Sequence, residues 1–172
     1  GTIWTQKQKL FSTDEASGDL FGFSVSLEGT TAIVGAFYNH NNGNMSGSAY
    51  TFTCTSGNWA QQQKLAASDG ESEDDFGYAV SLSGNKALIG AHGEDENGQD
   101  AGAAYIFTRY GNTWTQQAKL LASDGAAEDW FGVAVSLSGH TALIGSPIHG
   151  SAYVFQTTNQ PPIANFTYSP TN

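Results

Sequence analysis

Positive charge is scarce in this sequence. Six Lys and Arg stand against sixteen Asp and Glu in 172 residues, a formal charge of −10. So few cations cannot neutralise a track of phosphates, which excludes nucleic acid as a partner and disfavours anionic membrane surfaces. Cysteine is almost missing. Cys54 stands alone, so no internal disulfide forms and no zinc site is built on it by itself. With one Met beside it, the composition suits an exposed or oxidising setting. Long apolar runs are missing too. The longest, residues 32–38, contains a glycine and falls far short of the roughly 20 residues that span a bilayer, so membrane insertion is not expected. The chain opens on Gly1, with no initiating Met and no charged-then-apolar leader, as expected of a processed chain or a cut piece. Helical periodicity is absent, and so are the Gly-x-Ser-x-Gly elbow and His-Glu-x-x-His. The four His residues are scattered through loops. No catalytic function is expected.

What is present is a repeat. Phe21-Gly22, Phe76-Gly77 and Phe131-Gly132 recur at a constant step of 55 residues. Trp4, Trp59 and Trp114 keep the same step, as do Lys9-Leu10, Lys64-Leu65 and Lys119-Leu120. Asp14, Asp69 and Asp124 follow it, and so do Asp19, Asp74 and Asp129. Ala49-Tyr50 and Ala104-Tyr105 hold the step, but the third copy, Ala152-Tyr153, arrives seven residues early. The loop after Ser146 is therefore short in the third repeat.

Each copy reads as four short strands. Trp59, Gln61, Gln63 and Leu65 alternate with Ala60, Gln62 and Lys64, a period of two. The run 78–82 alternates as well, and Gly84-Asn85 then joins it to residues 87–89. Glycine at the first central position suits a type II′ hairpin; Gly29-Thr30 and Gly139-His140 occupy the same place. Residues 104–107 add a strand before the turn Gly111-Asn112. The expected fold is all-β: three four-stranded antiparallel blades of 55-residue period, in an incomplete or oligomer-completed propeller. The repeats run over residues 1–58, 59–113 and 114–156, with a Pro-rich, extended segment over 157–172.

Asp-x-Phe-Gly, the Val-Ser-Leu-Ser-Gly hairpin, Ile-Gly-Ala and Gly-x-Ala-Tyr-x-Phe together resemble the FG-GAP repeat, the blade of integrin-like and microbial surface propellers. The third copy carries its Gly-x-Pro ending at Gly145-Ser146-Pro147. The resemblance covers residues 1 to about 156 and implies a propeller-type fold in an extracellular or cell-surface setting. One departure matters. Integrin-type blades carry a calcium loop between their first two strands, and here that position holds a tight hairpin, so those calcium sites are not implied. The segment 160–170 resembles the opening of a polycystic-kidney-disease-type domain.

Residues that recur in every copy are expected to support the blade, because a catalytic site is usually built once. Asp19, Asp74 and Asp129 should accept backbone N–H bonds in the turn before Phe-Gly. The Trp residues should pack one face of the outer strand, with carbohydrate stacking as the sharper alternative. Nine of the sixteen acids lie between Asp69 and Asp100. Among them Asp95, Asn97 and Asp100 place oxygen ligands around Gly98 partly as a calcium loop does; a solvated acidic loop is the plainer alternative. Glu71, Glu73, Asp74 and Asp75 read as a charged turn rather than a glycosidase pair. Asn44 and Asn165 head N-glycosylation sequons.

The phase of the repeat suggests self-association. The chain begins with an outer strand, residues 4–10, and its third blade ends at Phe155 without one. An open edge is a template for another chain. Trp4 and Leu10 are therefore expected to complete a neighbour's third blade beside Tyr153 and Phe155, with Phe166 in a second strap. Such a head-to-tail contact gives a ring or a filament, and the filament is favoured. The other class left open is a fragment of a larger adhesin propeller that binds a protein or carbohydrate.

Overall fold

The computed structural model describes residues 1–14, 16–148 and 150–157. Among these residues, eleven strands order into three antiparallel sheets. The first contains β1 (Ser24–Glu28), β2 (Thr31–Ala36), β3 (Ser48–Thr55) and β4 (Asn58–Leu65) in that spatial order. The second repeats it with β5 (Ala79–Ser83), β6 (Lys86–Ala91), β7 (Ala103–Tyr110) and β8 (Thr113–Leu120). The third stops at three, β9 (Ala134–Ser138), β10 (Thr141–Ser146) and β11 (Ser151–Gln156). The sheets do not close into a ring. No helix among the described residues is long and apolar enough to cross a membrane.

The hairpins follow from glycine placement. Gly29, Gly84 and Gly139 take φ of 57°, 60° and 57°, while the residue after each stays at negative φ, the signature of type II′. The β3–β4 turn differs: Ser56 and Gly57 are both at positive φ, 52° and 83°, as type I′ requires. A register shift between Thr51 and Phe52, repeated between Ile106 and Phe107, marks a bulge that leaves Gln62 and Gln117 unpaired and interrupts the alternation of the outer strand.

Phe-Gly performs two tasks. Phe76 is fully buried and meets Tyr105 and Phe107 edge-on at 5.5 and 5.9 Å; Phe131 does the same to Tyr153 and Phe155 at 5.4 and 5.9 Å. The glycine serves the junction between blades. A methyl group on Gly35 would overlap the carbonyl oxygen of Gly77, and one on Gly90 would overlap that of Gly132. The Phe-Gly glycine of the second and third blades thus presses against the Val-Gly-Ala or Ile-Gly-Ala glycine of the blade before it. Around this contact Ile33 packs in one cluster with Val80 and Leu82, and Leu88 in another with Leu137.

The aspartates before Phe-Gly close their turns as expected. Asp19, Asp74 and Asp129 accept from the backbone N–H of Ala16, Glu71 and Ala126 at 3.0, 2.8 and 2.7 Å.

Candidate functional site: an open edge and two bare faces

The two ends of the blade series expose what the middle buries. Val80 and Leu82 on β5 are 9% and 8% exposed, whereas their counterparts on β1, Val25 and Leu27, are 68% and 66% exposed. At the other end Leu88 is fully buried on β6, but its counterpart Leu143 on β10 is 46% exposed. Val154 on β11 is exposed beside it. Glycine contacts divide the same way. Nothing lies within 4 Å of a methyl group built on Gly22 or Gly150, and Gly145 meets only Ala134, no nearer than 3.4 Å. Each bare glycine is one half of a contact that is complete between the inner blades.

The predicted interface residues lie along these surfaces. Trp4 is 94% exposed, and residues 4–10 form no strand. Leu10 rests half-buried against the cluster of Ala32, Val34, Tyr50 and Phe52. Gln8 holds the segment by donating to the Trp59 carbonyl at 2.8 Å and accepting from the Trp59 N–H at 2.9 Å. Gln63 grips Trp114 identically, at 2.9 and 2.8 Å. Residues 4–10 are therefore held where an outer strand belongs, without a sheet to belong to. Tyr153 and Phe155 are half-buried, although Tyr50, Tyr105, Phe52 and Phe107 at the same places are buried. Among the described residues, β11 pairs only with β10. Phe166, Asn165 and the segment 160–170 lie outside the described residues.

The outer strand also carries a charge device, which in the sequence shows only as a Lys and an Asp recurring in step. Lys64 Nζ meets Asp14 at 2.7 Å and lies 5.5 Å from the Tyr50 ring centre. Lys119 meets Asp69 at 2.8 Å, Glu94 at 2.6 Å and Glu96 at 2.8 Å. Burial alone would raise the carboxyls of Asp14 and Asp69, but the ammonium bonded to each outweighs it and holds them below the usual range. The three carboxylates around Lys119 have oxygens within 4.8 Å of one another, so its ammonium occupies the centre of the acidic cluster. The co-recurrence of Asp and Lys fifty residues apart was the available signal.

The calcium candidates serve the loop in visible ways. Asp95 Oδ1 accepts from the Asp100 N–H at 2.7 Å, and His40 Nδ1 accepts from the Met45 N–H in the first repeat at 2.9 Å. Asn97 donates to the Ala122 carbonyl at 3.2 Å. Asp100 stands at φ 53°, as Met45 does at 54°. Among the described residues, the carboxylates drawn together are those of Asp69, Glu94 and Glu96. Asn44 is exposed, and the hydroxyl of its sequon partner Ser46 accepts from the Asn42 N–H at 2.9 Å.

Two acids in this region titrate high. Burial pushes Asp74 up to about 6, against the Glu71 N–H that favours its charge, with Glu94, Asp69 and Asp95 adding repulsion. Burial pushes Asp75 up to about 7, with Asp100, Asp74 and Glu73 repelling it. The fold therefore prefers both protonated, and stability is lost as pH rises through these values. His92, 3.6 Å from Asp75, acts oppositely: burial lowers its pKa against the pull of Asp100, so protonation below the ordinary His range weakens the fold. Two groups outweigh one. The melting temperature is expected to be roughly 3–6 °C higher at pH 5 than at pH 8, and Asp75→Asn, which removes the larger of the two carboxyl contributions, should abolish most of that difference. Thermal melts across this range check it; a melting point that falls steadily from pH 8 to pH 5 would contradict it.

The FG-GAP repeat family model matches residues 4–52, 59–107 and 114–155. No curated protein matches the chain. The family is a non-enzymatic repeat type, typical of extracellular or cell-surface proteins. With three matched repeats, three sheets that share one strand order over their first three strands and Phe-Gly at both blade junctions, the chain belongs to the FG-GAP repeat family.

Proposed function

We propose that this chain is a non-catalytic, extracellular structural protein whose copies join head to tail, the back of the third blade against the front of the first. The observation that carries this is the contrast between Val25 and Leu27, about two-thirds exposed, and Val80 and Leu82, buried on the same strand of the next blade. Leu143, Val154 and the bare glycines Gly145 and Gly150 supply the surface that such a face meets elsewhere in the molecule. Burying Val25 and Leu27 contributes on the order of 1.5–3 kcal/mol each. A contact between two different surfaces propagates. Repetition gives an open filament, in which the exposed Asn44 presents a glycan-acceptor position.

The second reading is a piece of a cell-surface adhesin propeller with a protein or carbohydrate ligand. The same bare faces support it, because further blades would cover them equally well. The resemblance of residues 160–170 to the start of another extracellular domain fits either reading.

Light scattering and electron microscopy of the chain and of Val25→Asp with Leu27→Asp separate them. The parent is expected to form linear assemblies, and the variant to stay monomeric with an unchanged melting point. A parent chain that is monomeric at high concentration removes the assembly reading.

A further inference from the structure

Between the second and third blades lies a cleft of about 370 Å³, lined by Leu120, Leu137, Ala142 and Phe155 among others. The corresponding residues one repeat earlier are Leu65, Leu82, Ala87 and Phe107, which cluster with Trp114. Trp114 is only 2% exposed there. The cleft is thus the same socket, seen where β11 has no outer strand among the described residues to supply a tryptophan. The third repeat continues the pattern at two further points. Tyr50 pairs with Lys64 and Tyr105 with Lys119 across the outer edge of their sheets, and each Lys reaches an Asp, Asp14 or Asp69. Tyr153 and Asp124 stand in those places. The Asp124 carboxylate beside the Tyr153 hydroxyl, more than burial, holds that phenol protonated to higher pH, and no ammonium among the described residues pairs with Asp124.

We infer that the cleft and the open edge of β11 receive residues 4–10 of a second copy in one register, with Trp4 in the cleft and Lys9 on Asp124. This rests on the head-to-tail reading above and adds the docked segment and its alignment. The complete sheets fix that alignment. Ala104 faces Leu120, Tyr105 faces Lys119 and Thr108 faces Thr115, so Ala152 faces Leu10, Tyr153 faces Lys9 and Gln156 faces Thr5 of the incoming copy. The bulge is retained, since Gln6 and Gln8 occupy the places of Gln116 and Ala118 with Lys7 between them. Gln6 gains a partner by the same rule. Gln61 accepts from the Thr13 N–H and Gln116 from the Ser68 N–H, each at 2.9 Å, which assigns Gln6 to the Ser123 N–H of the acceptor. Charge complementarity favours a second copy as occupant: the acceptor offers an exposed carboxylate, and the segment brings Lys9 at the one position that reaches it.

Register is tested with the full chain carrying Cys54→Ser. Thr5→Cys combined with Gln156→Cys should give a ladder of disulfide-linked copies under mild oxidation. Thr5→Cys combined with Ala152→Cys, five residues out of register, should stay unlinked because the two Cα atoms are too far apart. Independently, Lys9→Asp should weaken assembly about fivefold, and adding Asp124→Lys should restore it, with Trp4→Ala abolishing it in either background. Linear assembly with no linkage at 5–156 and no rescue by the charge exchange overturns the register while leaving head-to-tail contact standing. A parent that does not assemble overturns both.

Discussion

Gly90→Ala is expected to cost about 3 kcal/mol, lowering the melting temperature by roughly 6–12 °C, while Gly145→Ala changes stability by less than about 0.5 kcal/mol. The two glycines occupy the same place in successive blades, on β6 and β10, and neither has left-handed backbone. A methyl group is therefore conformationally acceptable at both. The difference lies in what stands opposite. At Gly90 the added carbon would overlap the Gly132 carbonyl, which cannot retreat without parting β9 from the second blade; at Gly145 it reaches nothing closer than 3.4 Å. Denaturant unfolding of the two variants reads this directly. Equal losses would mean that the junction glycines act through backbone entropy instead of close approach. Gly145→Ala has a second value, since a copy docked there as Gly132 docks on Gly90 would meet the methyl group. Its assembly should fail although its fold is intact.

Lys119→Met is the other large effect, about 3 kcal/mol at neutral pH. Lys119 serves three carboxylates, and Glu94 among them has a side chain only 10% exposed. Removing the ammonium leaves that charge buried and repelled by Asp69 and Glu96, which costs far more than the pair is worth when complete. The loss should shrink in acid, where the uncompensated negative charge is removed. Lys64→Met supplies the comparison. Its partner Asp14 has a side chain 45% exposed, so water replaces the lysine and the cost should stay below about 1 kcal/mol. Melts of both variants at pH 4.5 and 7.5 test the pair; similar losses for the two at neutral pH would show that the extra acids around Lys119 carry no energy.

The step of 55 residues made the architecture readable, because Phe-Gly, the hairpin glycines and the Tyr-x-Phe strand each impose a local geometry that sequence alone specifies. Type II′ turns at Gly29, Gly84 and Gly139 are such a case. The bulge at Gln62 and Gln117 was not readable, since the successive glutamines 61–63 and 116–117 give no sign of which one is left unpaired. Nor was the junction between Gly35 and Gly77, whose partners lie 42 residues apart and meet only after two sheets stack. The acids of the middle repeat show the same limit. Asp95, Asn97 and Asp100 lie close in sequence around Gly98, yet among the described residues the carboxylates that converge are Asp69, Glu94 and Glu96, gathered from two loops around a lysine of the outer strand.

The seven-residue shortening of the third repeat has a mechanical meaning. In the first repeat the long loop grips the next blade, its Asn44 and Met45 carbonyls accepting from the Glu73 and Asp75 N–H groups; in the second, Gln99 and Asp100 hold Glu128 and Trp130 likewise. The third loop, after Ser146, lacks the residues that would make those two bonds. A seam formed there between copies has fewer fastenings than the seams inside a chain. Where copies join as proposed, dilution or pulling should therefore part them at copy boundaries first, releasing folded units able to rejoin.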